Sequence, residues 1–329
     1  HPVPVNRAYL REILSRPPCD LETIRFRQDV IRELESNPEL LETTRQFYAQ
    51  IYQLLSMFMA WPERARLDPT VFRLEILESS RDAVDFMATR FKGASSALSR
   101  LHECGTEIRK SKNYQLLNDL LDYETHLAKV TFRVRLGADG KIRDLVLDDL
   151  AENSGNPFYR RPWQRIKDRL ELMRRGYEFS RKEVVNRVVG RAFLQIRSWI
   201  RPLLQVLGQL SFYLSTIAFK EQTEKLGLRM SLAEVEEGAT LEIEELFNPL
   251  LLRLGRPVPN AIAADRAETI MIITGPNSGG KTRLLQAVGL AQLLGQSGIY
   301  VPAATAGLPL LDGLFASITE RATVDQTEG

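Results

Sequence analysis

The chain has 329 residues with 44 basic and 42 acidic side chains, and its 44% hydrophobic content is that of an ordinary soluble globular protein. The length allows two or more cores, at roughly 150 residues per domain. The formal net charge of +2 is small, so a case for nucleic-acid binding must rest on local clusters of charge. The most apolar window, 203–219, contains polar residues and is shorter than the roughly 20 residues of a membrane span. We therefore expect no membrane partner.

Cysteine and histidine are too few for two common kinds of site. Cys19 and Cys104 stand apart in the sequence, and only His1, His102 and His126 accompany them. This composition argues against a Cys/His zinc site and against a Ser-His-Asp triad. We expect two reduced thiols, as in a reducing compartment.

Helical periodicity dominates residues 7–127. Asp20 is the predicted N-cap of one helix, and Asn37-Pro38 is its predicted stop. Between them, apolar residues fall near the three-and-four spacing of a single helix face: Leu21, Ile24, Val30, Ile31 and Leu34. We predict an all-helical core domain over residues 1–127.

After this domain the spacing of apolar residues changes from the helical period to alternation. In "KVTFRVRLGADGKIRDLVL" apolar residues alternate on one side of a glycine-bounded turn, which predicts a β-hairpin within a small β insertion at 128–159. Helical periodicity resumes from Trp163 and continues to about Lys225, as one long helix or two, in a predicted segment at 160–228. Pro202 should kink or divide it, because proline removes an intrahelical donor.

The last segment, 229–329, begins with strand-like sequence. "ATLEIEELFNPLL" and "AETIMIITG" are predicted strands, and the second is predicted to be buried on both faces. A glycine-rich run and the amphipathic stretch "KTRLLQAVGLAQLL" follow the second strand. This order of a strand, a glycine-rich turn and a helix is the setting in which a phosphate-binding loop works.

The glycine-rich run satisfies G-x-x-x-x-G-K-[ST] in full. Its residues are Gly275, Pro276, Asn277, Ser278, Gly279, Gly280, Lys281 and Thr282. Glycines let backbone N–H groups point at an anion at a helix N-terminus. Lys281 would reach the β- and γ-phosphates, and the Thr282 hydroxyl would bind Mg²⁺. The alternative is a glycine turn that only caps a helix; we interpret the motif as a nucleoside triphosphate site.

Three further stretches flank the glycine-rich run: "LFNPLL" and "PVPN" precede it, and "GIYVPA" follows it. "TGPNSGGKT" followed by "GIYVPA" resembles the ATPase domain of the MutS family of DNA mismatch-repair ATPases. "LFNPLL" is similar to the Arg-His-Pro-Leu-Leu segment of that family, and "PVPN" to its Phe-Val-Pro-Asn segment. "LPLLDGLFASI" resembles the strand that leads to the loop reaching across the dimer. "DLETIRFRQDVIREL" resembles the start of the helical core, and 163–225 the long lever helices.

The resemblance implies a multidomain fold: an all-α core and lever domain with a small β insertion, followed by the N-terminal half of an α/β P-loop, ABC-type ATPase domain. It implies ATP and Mg²⁺ as cofactors, double-stranded or branched DNA as partner, a homodimer formed through the ATPase domain, and, in a bacterium, a cytoplasmic, nucleoid-associated location. Val258 and Asn260 would lie near the base. The β insertion would be a reduced DNA clamp or something unrelated.

The chain departs from the family pattern at named positions. Ser278 replaces a methionine, Thr282-Arg283 replaces Ser-Thr, and Pro257 stands where an aromatic residue stacks on adenine. No Gly-x-Phe-Tyr-Glu mismatch reader is present. The family's Walker B strand would follow Gly329, so no catalytic residue is assigned. We expect half a nucleotide site with little turnover, and a DNA-dependent ATPase as the longer parent.

Basic residues cluster in the predicted lever segment. Residues 160–201 contain thirteen basic and four acidic side chains, a net charge of +9. A solvated helix face is the usual meaning of such a run, but the run begins beside the β insertion and contains aromatic residues. We predict phosphate contacts from six of its members: Arg160, Arg161, Arg165, Lys167, Arg174 and Arg175.

Two further hypotheses stay open. An ABC-type ATPase with helical arms, acting on chromosomes, would share the P-loop but not the other segments. A non-catalytic scaffold would bind nucleotide only for structure. The leading hypothesis is an ATP- and DNA-binding protein of DNA repair or recombination control, in which ATP changes the shape of a dimer.

Overall fold

The computed structural model describes residues 6–60, 69–125, 129–136, 142–151, 181–264, 269–276 and 279–317. The chain divides into two compact units. The first unit comprises His1–Arg45, Ala94–Leu98 and Gly208–Gly329, and the second comprises Gln46–Gly93 and Ser99–Leu207. The domain boundaries predicted after 127, 159 and 228 follow a different division and stay predictions.

Helices make up most of the described chain. They are α1 (Arg7–Ser15), α2 (Leu21–Ser36), α3 (Pro38–Met59), α4 (Pro69–Arg90), α5 (Ser99–Lys110), α6 (Lys112–Thr125), α7 (Arg181–Glu224) and α8 (Lys281–Gln296), with a 3₁₀ helix at Pro249–Arg253. The strands are β1 (Lys129–Leu136), β2 (Ile142–Ala151), β3 (Ser231–Leu232), β4 (Glu234–Glu236), β5 (Leu241–Leu246), β6 (Asn260–Ala264), β7 (Tyr300–Val301) and β8 (Thr305–Pro309).

Helix α2 begins and ends where its sequence predicts. The Asp20 carboxylate accepts a hydrogen bond from the Thr23 N–H at 2.7 Å, which satisfies one of the free donors of the first turn. The helix stops at Ser36, before Asn37-Pro38. On the predicted face Leu21 is half-buried, and four apolar residues are at most 1% exposed: Ile24, Val30, Ile31 and Leu34.

The second unit has an aromatic and aliphatic core. The ring of Phe47 stacks on Phe86, with centroids 5.5 Å apart, and meets the edge of Phe91 at 5.4 Å. Helix α5 approaches α4 closely at Gly105, where a Cβ would lie 2.6 Å from the Ala88 backbone nitrogen. The Nδ1 atom of His102 on α5 lies 2.7 Å from the Ala88 carbonyl oxygen.

The predicted β-hairpin is present in the second unit. Strands β1 and β2 pair antiparallel, with Val134 opposite Leu145 and Val130 opposite Leu150. The alternation of apolar residues around a glycine-bounded turn therefore identified both strands.

The long helix α7 passes through Pro202 without interruption. It runs for 44 residues from Arg181 to Glu224, so the proline does not divide it. Part of the helix precedes 208 and lies in the second unit, and the remainder lies in the first. Among the helices of the described ranges, none combines the length and the hydropathy that crossing a bilayer requires.

A four-stranded sheet forms the centre of the first unit. Its order is β4-β8-β5-β6, with β4 and β8 parallel and the other two pairs antiparallel. Helix α8 packs on the sheet through Ala287 and Ala291, and α2 adds Ile24 to the same core. Helix α2 therefore shares a hydrophobic core with the segment that carries the glycine-rich motif.

The short segment Ala94–Leu98 is hydrogen-bonded to helix α2 of the first unit. The Glu33 carboxylate of α2 accepts hydrogen bonds from the Ser95 N–H at 2.5 Å and from the Ser96 N–H at 3.0 Å. Desolvation by burial raises the pKa of Glu33, but the hydrogen bonds from Ser95 and Ser96 together have the larger effect, so the pKa is lowered. These hydrogen bonds explain why residues 94–98 belong to the first unit although their neighbours belong to the second.

The prediction of a buried strand at "AETIMIITG" is wrong for its described part. Residues 269–276 form no strand, and Ile270 and Ile272 are 88% and 83% exposed. A strand needs neighbours for its N–H and C=O groups and a cover for its apolar faces. Among the described residues, no strand pairs with this segment. The sequence "LPLLDGLFASI" likewise becomes strand only up to Pro309, and 310–317 are irregular.

Two glycines of α8 are expected to respond oppositely to alanine. At Gly295 a Cβ would lie 2.4 Å from Leu308 Cδ1 and 3.0 Å from Ala233 Cβ, whereas at Gly289 nothing lies within 4 Å. Gly295→Ala should cost about 1–3 kcal/mol by overpacking, and Gly289→Ala should gain up to about 1 kcal/mol from helix propensity. Urea unfolding of both variants measures the difference; equal shifts in midpoint would contradict the packing described for Gly295.

Candidate nucleotide-binding site

The glycine-rich turn enters helix α8 through backbone that only glycine adopts easily. Gly275 has φ 149° and Gly280, the N-cap of α8, has φ 77°. The Gly279 N–H donates to the Pro276 carbonyl at 3.0 Å. Because Gly280 has no side chain to cap the helix, the first N–H groups of α8 remain available for an anion.

Lys281 brings positive charge onto this turn. Its Nζ donates to the carbonyls of Gly275 and Pro276, at 2.6 and 2.7 Å. Thr282 is exposed in the first turn of α8, and its hydroxyl would hold a Mg²⁺ ion bound with a phosphate. Asn277 and Ser278 lie outside the described residues. The described groups fit a polyphosphate, because helix N–H groups and an ammonium can donate to it and glycines without Cβ atoms leave space for it.

The predicted base-side residues lie at the start of β6. Asn260 is the first residue of β6 and pairs with Leu246, the last residue of β5. Its Nδ2 donates to the Val258 carbonyl at 3.1 Å. Val258 is 80% exposed. The register therefore places both residues beside the end of β5, from which the chain continues toward the first turn of α8.

Asn248 links the chain just after β5 to the first turn of α8, and it was not predicted as a site residue. It is 4% exposed, and its Nδ2 donates to the Arg283 carbonyl in the first turn of α8 at 2.9 Å. Its Oδ1 accepts from the Leu250 N–H at 2.9 Å and caps the 3₁₀ helix. A sequence signal existed: an asparagine before proline is a favoured cap. That signal did not indicate a contact with the phosphate-side helix.

The opposite end of α8 is held by α2. Arg27 donates from Nη1 to the Ser297 carbonyl at 2.9 Å, and its guanidinium lies 5.3 Å from the centre of the Phe212 ring. Burial lowers the pKa of Arg27. A cation at a helix C-terminus and over an aromatic face is doubly favoured. Gln296 adds hydrogen bonds from Nε2 to the carbonyls of Pro18 and Leu311.

The predicted DNA contacts are not tested by this geometry. Arg160, Arg161, Arg165, Lys167, Arg174 and Arg175 all lie in 152–180, outside the described residues. Both cysteines are free and exposed. In the described ranges no group of three or more His, Cys, Asp or Glu residues is arranged to hold a metal ion.

A glycine-rich turn at the N-terminus of a helix is the phosphate-binding arrangement of P-loop nucleotide-binding proteins. Residues 271–328, which include this turn and α8, match the family model MutS domain V. The chain is 29% identical over 197 residues to "Endonuclease MutS2" of Thermus thermophilus, covering 59% of this chain and 24% of that protein. The chain is thus similar to MutS-family proteins, and these matches support membership of that family.

Two further relatives agree with this assignment. A protein of Streptococcus agalactiae with the same name, "Endonuclease MutS2", is 33% identical over 129 residues, 39% of this chain and 16% of that protein. "DNA mismatch repair protein MutS" of Thermus aquaticus is 29% identical over 174 residues, 49% of this chain and 21% of that protein. The matched part of the chain thus spans a quarter or less of each relative.

Proposed function

We propose that the chain is the nucleotide-binding part of a MutS-like protein that binds ATP with Mg²⁺ and acts on DNA in repair or recombination control. The observation that supports this most directly is the glycine-rich turn at the N-terminus of α8. Lys281 lies over it, at 2.6 Å from the Gly275 carbonyl, within the residues that match MutS domain V.

The chemistry proposed for the site follows from these donors. The N–H groups at the start of α8 and the Lys281 ammonium would neutralise the β- and γ-phosphates. Thr282 would supply a hydroxyl ligand to Mg²⁺, which lowers the negative charge of the triphosphate when it is bound. Val258 and Asn260 would lie on the base side. Pro257 offers no aromatic ring for stacking, so the base would be held by aliphatic contacts.

DNA binding is proposed from the net charge of +9 in residues 160–201. Contacts of lysine and arginine with phosphates give affinity that falls steeply with salt and carries little sequence information. We propose duplex or branched DNA as the partner, without base readout, and a dimer formed through the ATPase domain whose shape depends on ATP. The names of the relatives, which concern mismatch repair and an endonuclease, support a role on DNA.

Binding to three labelled DNAs tests this function. The 329-residue chain is titrated into perfect duplex, mismatched duplex and a four-way junction at about 50 and 200 mM salt, with and without ATP and Mg²⁺. We expect binding that weakens at the higher salt concentration, and a preference for the junction would favour a role that does not depend on mismatches. A chain that binds ATP but none of the DNAs would contradict the DNA part, and a chain that binds no ATP would contradict the nucleotide part.

A further inference from the structure

We infer that Asn248 is a positioning residue that fixes the distance between the base side and the phosphate side of the nucleotide site. This inference rests on the proposed binding of ATP. It assigns to Asn248 the recognition of a whole nucleotide, as distinct from a free polyphosphate. The contacts of one buried side chain carry it.

Both ends of the Asn248 amide are used, and they hold different segments. The Oδ1 atom accepts from the Leu250 N–H at 2.9 Å, and Nδ2 donates to the Arg283 carbonyl at 2.9 Å and to Gln286 Oε1 at 3.3 Å. Arg283 also donates to the same Gln286 oxygen at 3.0 Å. A 3₁₀ helix and the first turn of α8 are therefore joined through a single side chain.

The loop that contains Asn248 and the 3₁₀ helix connects the end of β5 to the start of β6. Its two ends are adjacent in the sheet, because Leu246 of β5 pairs with Asn260 of β6. The loop between them therefore starts and ends beside Asn248, and it includes Val258. Three exposed aliphatic side chains project from this loop: Leu250 at 57%, Leu254 at 84% and Val258 at 80% exposure.

Exposed aliphatic groups near a phosphate site are suited to a nucleobase. Ligand sites are lined mainly by apolar side chains, with a few polar groups that fix orientation. The phosphates would contact the α8 side of Asn248, and the base would contact the loop side. Only a ligand that reaches both sides depends on the distance between them, so ATP should depend on Asn248 and inorganic tripolyphosphate should not.

Two substitutions test this dependence. Asn248→Ala removes both halves of the bridge. Asn248→Asp keeps the oxygen that caps the 3₁₀ helix but places a carboxylate oxygen against the Arg283 carbonyl. Binding of ATP and of tripolyphosphate to the full chain is measured by displacement of a fluorescent ATP analogue. We expect both variants to bind ATP about tenfold more weakly, roughly 1.4 kcal/mol, and tripolyphosphate within about twofold of the original chain.

Asn37→Ala is the matched control. Asn37 also caps a helix through Oδ1, which accepts from the Leu40 N–H at 3.0 Å, and it lies in the same unit. Its loss removes a cap of the same kind without touching α8, so both ligands should bind as before. This control separates a general loss of stability from a change at the site.

The other outcomes overturn the inference in distinguishable ways. Equal losses of ATP and tripolyphosphate affinity in the Asn248 variants would make Asn248 a support of the phosphate helix alone. Unchanged ATP affinity in both variants would remove its role while leaving the proposed function intact. If the original chain binds neither ligand, the proposed nucleotide binding fails, and the inference fails with it.

Discussion

Lys281→Ala is expected to weaken ATP binding at least about a hundredfold. The ammonium is the positive side chain at the turn, and it lies within 2.7 Å of the Gly275 and Pro276 carbonyls. Hydrogen bonds between charged partners contribute about 1.5–3 kcal/mol each, and a factor of ten corresponds to about 1.4 kcal/mol. Loss of two such bonds to phosphate, about 3 kcal/mol or more, therefore gives the expected change. Isothermal titration calorimetry with ATP and Mg²⁺ measures it directly.

Lys225→Ala provides the control for this change. Lys225 follows the last residue of α7, is exposed and carries the same charge, so its replacement alters net charge without altering the turn. ATP affinity should remain within about twofold of the original value. If Lys281→Ala also left the affinity unchanged, the glycine-rich turn would be only a helix cap, and the nucleotide-binding proposal would be lost.

Charge reversal at Arg160, Arg161 and Arg165 is expected to reduce DNA affinity at least roughly a hundredfold at low salt. Each lost phosphate contact should also reduce the slope of log affinity against log salt by about 0.9, or nearly three in total. The loss should be similar for duplex and junction, because phosphate contacts carry no sequence information. Fluorescence anisotropy at several salt concentrations measures both quantities.

A second triple variant controls for overall charge. Arg11, Arg16 and Arg25 are exposed residues of the N-terminal segment, and reversing them makes the same change in net charge. Their reversal should lower DNA affinity far less than the reversal at 160–165. Equal losses would show that only total charge matters. No loss from either variant would favour the ABC-type alternative, for which DNA contacts in this segment are not expected.

Local chemistry made much of the secondary structure predictable. The N-cap at Asp20, the apolar face of α2, the hairpin of β1 and β2, and the start of α8 after Gly280 all depend on neighbouring residues in the sequence. Spacing and caps report such short-range preferences directly. The phosphate-side residues of the candidate site were predicted in the same way, because the motif is contiguous.

The remaining features depend on contacts that no local pattern encodes. The run at 270–273 is apolar enough for a buried strand, yet burial depends on neighbouring strands, and it has none among the described residues. Asn248 contacts Arg283, which is 35 positions away, and Arg27 contacts Ser297, which is 270 positions away. A single asparagine or arginine has no periodicity, so its partner cannot be inferred from spacing.

Hydrogen bonds hold the C-terminal end of α8 in place, and they limit how the helix can move. The Arg27 bond to the Ser297 carbonyl and the Gln296 bonds to Pro18 and Leu311 prevent the helix from sliding along its axis without breaking them. A displacement at Gly280 must then become a tilt about this pivot. At 1.5 Å per residue the sixteen residues of α8 form an arm of roughly 24 Å. A shift of about 2 Å at the turn corresponds to a rotation of roughly 5° about the Arg27 contact.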